Sequence, residues 1–217
     1  MGLSRHLPNL VTIARMACCP AIFVLALGHS LEAKLWAALL FLFAGMSDLF
    51  DGYLARRYGW ITDTGKLLDP LADKLLLLAT YIPFYIISHR GTEVSLIPFW
   101  GSLPMWALLL ILGRELFVTI FRQWAAKREV FIGAGISGKY KAFLQNSFSG
   151  GLLLWYPLQD IRETQDFSGW YYRLWIEFHS IWIGVTLALA LLLTVYSMLD
   201  YLWKYRNLIG VGKSDSI

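Results

Sequence analysis

Ser47-Asp48-Leu49-Phe50-Asp51-Gly52-Tyr53-Leu54-Ala55-Arg56, followed after eight residues by Gly65-Lys66-Leu67-Leu68-Asp69-Pro70-Leu71-Ala72-Asp73-Lys74, is the stretch on which the fold turns. The chain is strongly apolar on either side of it, so four carboxylates stand at the ends of two segments that otherwise read as membrane spans. Residues three and four apart share a helical face, which points Asp48 with Asp51 and Asp69 with Asp73. If the two helices pack antiparallel across the loop from Arg57 to Thr64, both pairs converge at one site. Four such charges repel unless a cation lies between them, and hard oxygen ligands favour Mg, Mn or Ca over zinc. Gly52, Ala55 and Gly65 fall on the same faces and leave room for a ligand near the backbone. Arg56 adds a fixed cation suited to phosphate oxygens. Carboxylates, metal, arginine and small residues together are what binding a diphosphate requires. Asp63, in the loop, reads instead as an ordinary solvated polar residue.

Working outward, 57% of the 217 residues are hydrophobic and only 16% charged, too apolar for a soluble domain. Hydropathy gives about six transmembrane helices, near Leu10 to Leu27, Leu35 to Leu54, Leu67 to Ile87, Phe99 to Trp124, Lys141 to Leu158 and Ile176 to Tyr201. The expected architecture is an all-α integral membrane protein forming a single domain over 1–217. The N-terminal stretch has a short basic start, Arg5 and His6, and no small-residue cleavage site, so it reads as a retained first helix. Cys18 and Cys19 are adjacent within a span and read as inert packing.

Lysine and arginine sort onto one side. Arg5, Arg56, Arg57, Lys66, Arg122, Lys127, Arg128, Lys139, Lys141, Lys204, Arg206 and Lys213 oppose only Lys34, Arg90, Arg162 and Arg173. By the positive-inside bias, both termini and the carboxylate site face the cytoplasm. The net charge of +4 then belongs mainly to one leaflet, where it attracts anionic lipid headgroups, and no nucleic-acid partner is expected. His6, His29, His89 and His179 are scattered without zinc spacing and read as loop or interfacial residues, as Trp155, Trp170 and Trp175 read as an interfacial belt around a polar, aromatic outer loop from 159 to 172. A cation transporter with midplane carboxylates is the competing reading from another class. It is disfavoured because the aspartates cluster at one membrane face and the halves show no inverted repeat. A structural scaffold leaves the four aspartates unexplained.

Asp48, Asp51, Gly52, Ala55, Arg56, Gly65, Asp69 and Asp73 match, without a gap, the eight-position signature of the CDP-alcohol phosphatidyltransferase family, which the chain resembles. The resemblance implies a six-helix fold with an N-terminal juxtamembrane helix segment, assembled as a homodimer in the cell inner (cytoplasmic) membrane with its site open to the cytoplasm. It implies that Asp48, Asp51, Asp69 and Asp73 bind one or two Mg or Mn ions holding the diphosphate of a CDP-linked lipid, CDP-diacylglycerol. Gly52, Ala55, Gly65 and Arg56 would accommodate the nucleotide, and Asp73 would be the general base that deprotonates the acceptor hydroxyl, with CMP leaving.

Further segments are similar to the branch whose acceptor is sn-glycerol 3-phosphate. They are Pro8-Asn9-Leu10-Val11-Thr12-Ile13-Ala14-Arg15, with Asn9, Thr12 and Arg15 facing one way, Gly113-Arg114-Glu115-Leu116-Phe117-Val118-Thr119 continuing to Arg122, Gly138-Lys139-Tyr140-Lys141 with Gln145, and Tyr196 to Tyr201. Such an acceptor is a small dianion, for which Arg114 and Arg122, eight apart on one helix, and Lys139 or Lys141 at the start of the next span are the candidate grip. Tyr140-Lys141-Ala142 departs from the Lys-Thr usual after Gly-Lys, which bears on the acceptor pocket. Inositol phosphate, serine or phosphatidylglycerol are the alternative acceptors within the family.

Overall fold

The structure, a computed structural model, describes residues 3–60, 62–130, 136–164 and 169–206, with side chains described throughout these except at 3–7, 49, 51–56, 63, 66, 67, 136, 137, 163 and 164. Six helices account for most of it: α1 (Leu3–Leu27), α2 (Leu31–Tyr58), α3 (Asp63–Ser88), α4 (Met105–Ala126), α5 (Ile136–Thr164) and α6 (Trp170–Lys204). The N-terminal segment expected to lie beside the membrane is the first turn or two of α1, continuous with its apolar part.

Three of the described segments, Pro8–Leu27, Leu68–Ser88 and Trp170–Lys204, are long and apolar enough to cross a membrane by length and composition alone. The outer surface supports the same reading for the whole bundle. Trp36, Leu39 and Phe43 on α2, Leu109, Leu116 and Ile120 on α4, and Leu192, Val195 and Leu199 on α6 all face outward. Such continuous apolar faces are an aggregation liability in water and the expected exterior in lipid.

Side-chain size sets the packing inside. Ala37, Ala38 and Ala44 are buried along α2, where small residues let helices approach closely in the absence of a hydrophobic drive between them. An added Cβ at Gly150 of α5 would lie 3.2 Å from the ring of Phe41, so that glycine brings α5 close to α2. Tyr81 and Phe84 of α3 meet Phe148 of α5 with ring centroids 5.6 and 5.9 Å apart, forming an aromatic centre between those helices.

Several boundaries differ from the sequence reading. α4 starts at Met105, not Phe99, because the chain first makes a tight turn in which Ile97 and Gly101 exchange hydrogen bonds of 2.8 and 2.9 Å, and Pro104 then opens the helix. α5 and α6 extend to Thr164 and from Trp170, which takes most of the expected outer loop into helix. His179 is buried rather than interfacial, with Nε2 2.8 Å from the Gly151 carbonyl and its ring stacked on a buried Trp155. Trp170 and Trp175 are exposed, as a belt requires. Cys18 and Cys19 are free thiols.

One correction matters for the site. α2 and α3 do not pack on each other as expected. α1 lies along both, and among the described residues the two carboxylate helices have almost no direct contact. α1 instead lies between them and reaches a carboxylate on each through Arg15, so their charges meet a guanidinium rather than one another.

Candidate active site at the ends of α1 to α5

Asn9, Thr12 and Arg15 form one stripe of α1, and each holds a different part of the carboxylate region. The Arg15 side chain is only 1% exposed and donates from Nη1 to Asp48 Oδ1 of α2 at 2.5 Å and to Asp73 Oδ1 of α3 at 3.3 Å. Thr12 Oγ1, also buried, is 3.1 Å from Asp69 Oδ1 and from the Pro8 carbonyl. Thr62 caps α3 by accepting from the Gly65 amide at 3.0 Å, and its hydroxyl donates to Asn9 Oδ1 at 2.9 Å. An added Cβ at Gly65 would stand 2.9 Å from Asn9 Oδ1, so the missing side chain already serves the approach of α1 to the α3 cap.

Asp48 and Asp73 keep much of their surface free, 47% and 67% exposed, although both touch the buried guanidinium. Together with Lys74 they line a cavity of about 150 Å³, whose other wall is Glu115 of α4 and Lys141, Ala142, Gln145 and Asn146 of α5. Lys74 is drawn back by donating to the Pro70 carbonyl at 2.9 Å. Across the cavity, Glu115 Oε1 accepts from Arg114 Nη1 at 3.0 Å and also pairs with the Lys141 ammonium, which is almost fully buried.

The structure therefore brings Asp48, Asp73 and Lys141 to one cavity, holds Asp69 beside it through Thr12, and attaches Arg114 through Glu115. Arg122, two turns further along α4, lies near Arg114 and the Tyr201 ring. Lys139 is exposed on α5 and does not line the cavity. The side chains of Asp51, Ala55 and Arg56, and Gly52, lie outside the described residues, although the helix that carries them is continuous. Sequence reasoning missed Arg15, Thr12 and Glu115 as site residues. An arginine in an otherwise apolar first span was the available signal, since a buried charge needs a partner.

Among the described residues no cluster of three or more His, Cys, Asp or Glu side chains is set up to hold a metal. The donors that are described nevertheless fit a hard divalent cation. Two carboxylates from different helices already reach a single cationic nitrogen, and each keeps exposed oxygen surface toward the cavity.

Fold and site together define a helical membrane protein whose cavity sets Asp48 and Asp73, with Lys74 beside them, opposite the paired Glu115 and Lys141. The chain belongs to the CDP-alcohol phosphatidyltransferase family, whose sequence model matches residues 5–196. It is 39% identical over 145 residues, 67% of this chain and 73% of the relative, to a Rickettsia bellii protein named CDP-diacylglycerol–glycerol-3-phosphate 3-phosphatidyltransferase. A Haemophilus influenzae protein of the same name is 30% identical over 200 residues, 91% of each chain. A Mycobacterium tuberculosis protein named as a probable phosphatidylglycerophosphate synthase is 35% identical over 216 residues, 97% of this chain and 87% of the relative.

Proposed function

We infer that the protein transfers the phosphatidyl group of CDP-diacylglycerol to sn-glycerol 3-phosphate, giving phosphatidylglycerol phosphate and CMP. The observation that carries this reading is the single cavity with Asp48 and Asp73 on one wall and Lys141, backed by Arg114, on the other. A donor diphosphate needs the first wall and an acceptor phosphate the second. The names of the similar proteins point the same way.

In this reading Asp48, Asp51, Asp69 and Asp73 hold one or two Mg or Mn ions, which when bound neutralise the diphosphate and the charge developing on the leaving CMP. Gly52, Ala55, Gly65 and Arg56 accommodate the nucleotide. Arg114, Arg122, Lys139 and Lys141 attract the acceptor phosphate, with Lys141 at the cavity and Lys139 at its approach. The acceptor hydroxyl oxygen forms a bond to the lipid-side phosphorus, the phosphoanhydride bond to CMP breaks, and the hydroxyl proton passes to Asp73. Arg15 keeps Asp73 and Asp48 in register while this happens. The chain acts as one domain, within a homodimer in the cell inner membrane, with both termini and the cavity toward the cytoplasm and membrane lipids around the apolar faces. The lysine and arginine asymmetry supports that orientation.

The test is CMP release by purified protein in detergent with CDP-diacylglycerol and Mg, across sn-glycerol 3-phosphate, inositol phosphate, inositol and serine. Turnover with glycerol 3-phosphate alone is expected, and chelation should stop it. Turnover with another acceptor overturns the acceptor assignment and keeps the enzyme class.

A further inference from the structure

The cations proposed to grip the acceptor already have a partner. Glu115 Oε1 alone takes both Arg114 Nη1, at 3.0 Å, and the Lys141 ammonium, and it does so at the wall of the cavity shared with Asp48 and Asp73. A buried ammonium and a buried guanidinium with no counter-ion would be costly next to a membrane, so this carboxylate has a reason to be there in the absence of substrate. It has a consequence when substrate arrives, because an incoming anion must compete with Glu115 for the same two donors.

We propose that Glu115 is a specificity-determining residue that stands in for the acceptor phosphate and must be displaced by it. The inference rests on the phosphatidyl-transfer reading and deepens it. A phosphate monoester brings nearly two negative charges and three acceptor oxygens, enough to take Lys141 and Arg114 from one carboxylate. A neutral polyol or a zwitterionic amino acid brings no net charge, so both cations stay with Glu115 and the acceptor side remains closed to it. Discrimination between acceptors is then a difference in how well each replaces an internal competitor.

The experiment is steady-state CMP release by the full-length Glu115→Gln protein against wild type, with inorganic orthophosphate as competing anion. Removing the competitor should lower the KM for glycerol 3-phosphate by about 5- to 50-fold, lower the inhibitory concentration of orthophosphate in step, and leave the KM for CDP-diacylglycerol unchanged. A merely structural glutamate would lower kcat or raise both KM values. An acceptor KM that is unchanged or raised in a folded variant overturns the proposal. Should Glu115→Gln not fold, Glu115→Asp keeps the charge but draws it back by one methylene, and a smaller drop, about twofold, is expected. A rise or no change would again overturn the proposal. If wild type releases no CMP with glycerol 3-phosphate, the functional reading fails by itself. Orthophosphate-dependent thermal stabilisation, without lipid donor, still decides the role of Glu115: tighter phosphate binding by Glu115→Gln upholds it, equal binding sinks it.

Discussion

Ion pairs join the helices at both ends of this bundle, and they differ in geometry. At the end away from the aspartate site, Lys34 of α2 meets Asp160 of α5 with both carboxylate oxygens, at 2.7 and 2.6 Å, and both side chains are mostly buried. Nearby, Arg90 ties α3 to α1 by donating to the Leu27 carbonyl at 2.7 Å. At the aspartate end, one Arg15 nitrogen serves two carboxylates that remain 47% and 67% exposed, and one Glu115 oxygen serves two cations. Lys34 and Asp160 form a two-pronged pair, and with Arg90, His29 and Tyr156 they line a cavity of their own. At the aspartate end single atoms are shared between two opposite charges, and Asp48, Asp73, Glu115 and Lys141 all line the same small cavity.

The comparison can be broken most severely at Asp73. If the aspartate end is chemical, Asp73→Asn should lower kcat by about 10²–10⁴-fold while the protein remains folded, the range expected for loss of a general base; unchanged turnover at saturating Mg would remove Asp73 from the reaction. Arg114→Ala comes next. Its loss should raise the KM for glycerol 3-phosphate by about 10- to 100-fold with little effect on the lipid donor, and equal changes in both would make Arg114 structural.

Lys34→Met sharpens the contrast from the other end. It breaks a mostly buried pair, so thermal unfolding in detergent should report a loss of about 1–3 kcal/mol, while CMP release per folded molecule stays at the wild-type rate. A specific fall in turnover would mean that the two ends are coupled. Gly65→Ala is the smallest of the set. The new methyl must push Asn9 or the Thr62 cap aside, and about 1 kcal/mol of destabilisation is expected, measured in the same way.

The aspartate spacing was legible because helical periodicity is local: residues three or four apart share a face whatever surrounds them. The same holds for the number and rough placement of the helices, which follow from runs of apolar residues. Helix ends were less legible. The start of α4 depends on the Ile97–Gly101 turn, and the burial of His179 and Trp155 depends on how α5 meets α6. Neither is visible in hydropathy, which registers how apolar a segment is and not which neighbour covers it.

By itself, then, the sequence determined an all-helical membrane protein with a carboxylate motif at one end and a surplus of cations on the same side. Tertiary structure alone decided that α1 stands between the two carboxylate helices, that Arg15 bridges Asp48 and Asp73, and that Glu115 occupies the cations facing them. The reason is distance along the chain. Arg15 is 33 residues from Asp48 and 58 from Asp73, and no periodicity links residues so far apart. What brings them together is the cost of leaving a buried charge unpaired, which only the folded arrangement of helices can meet.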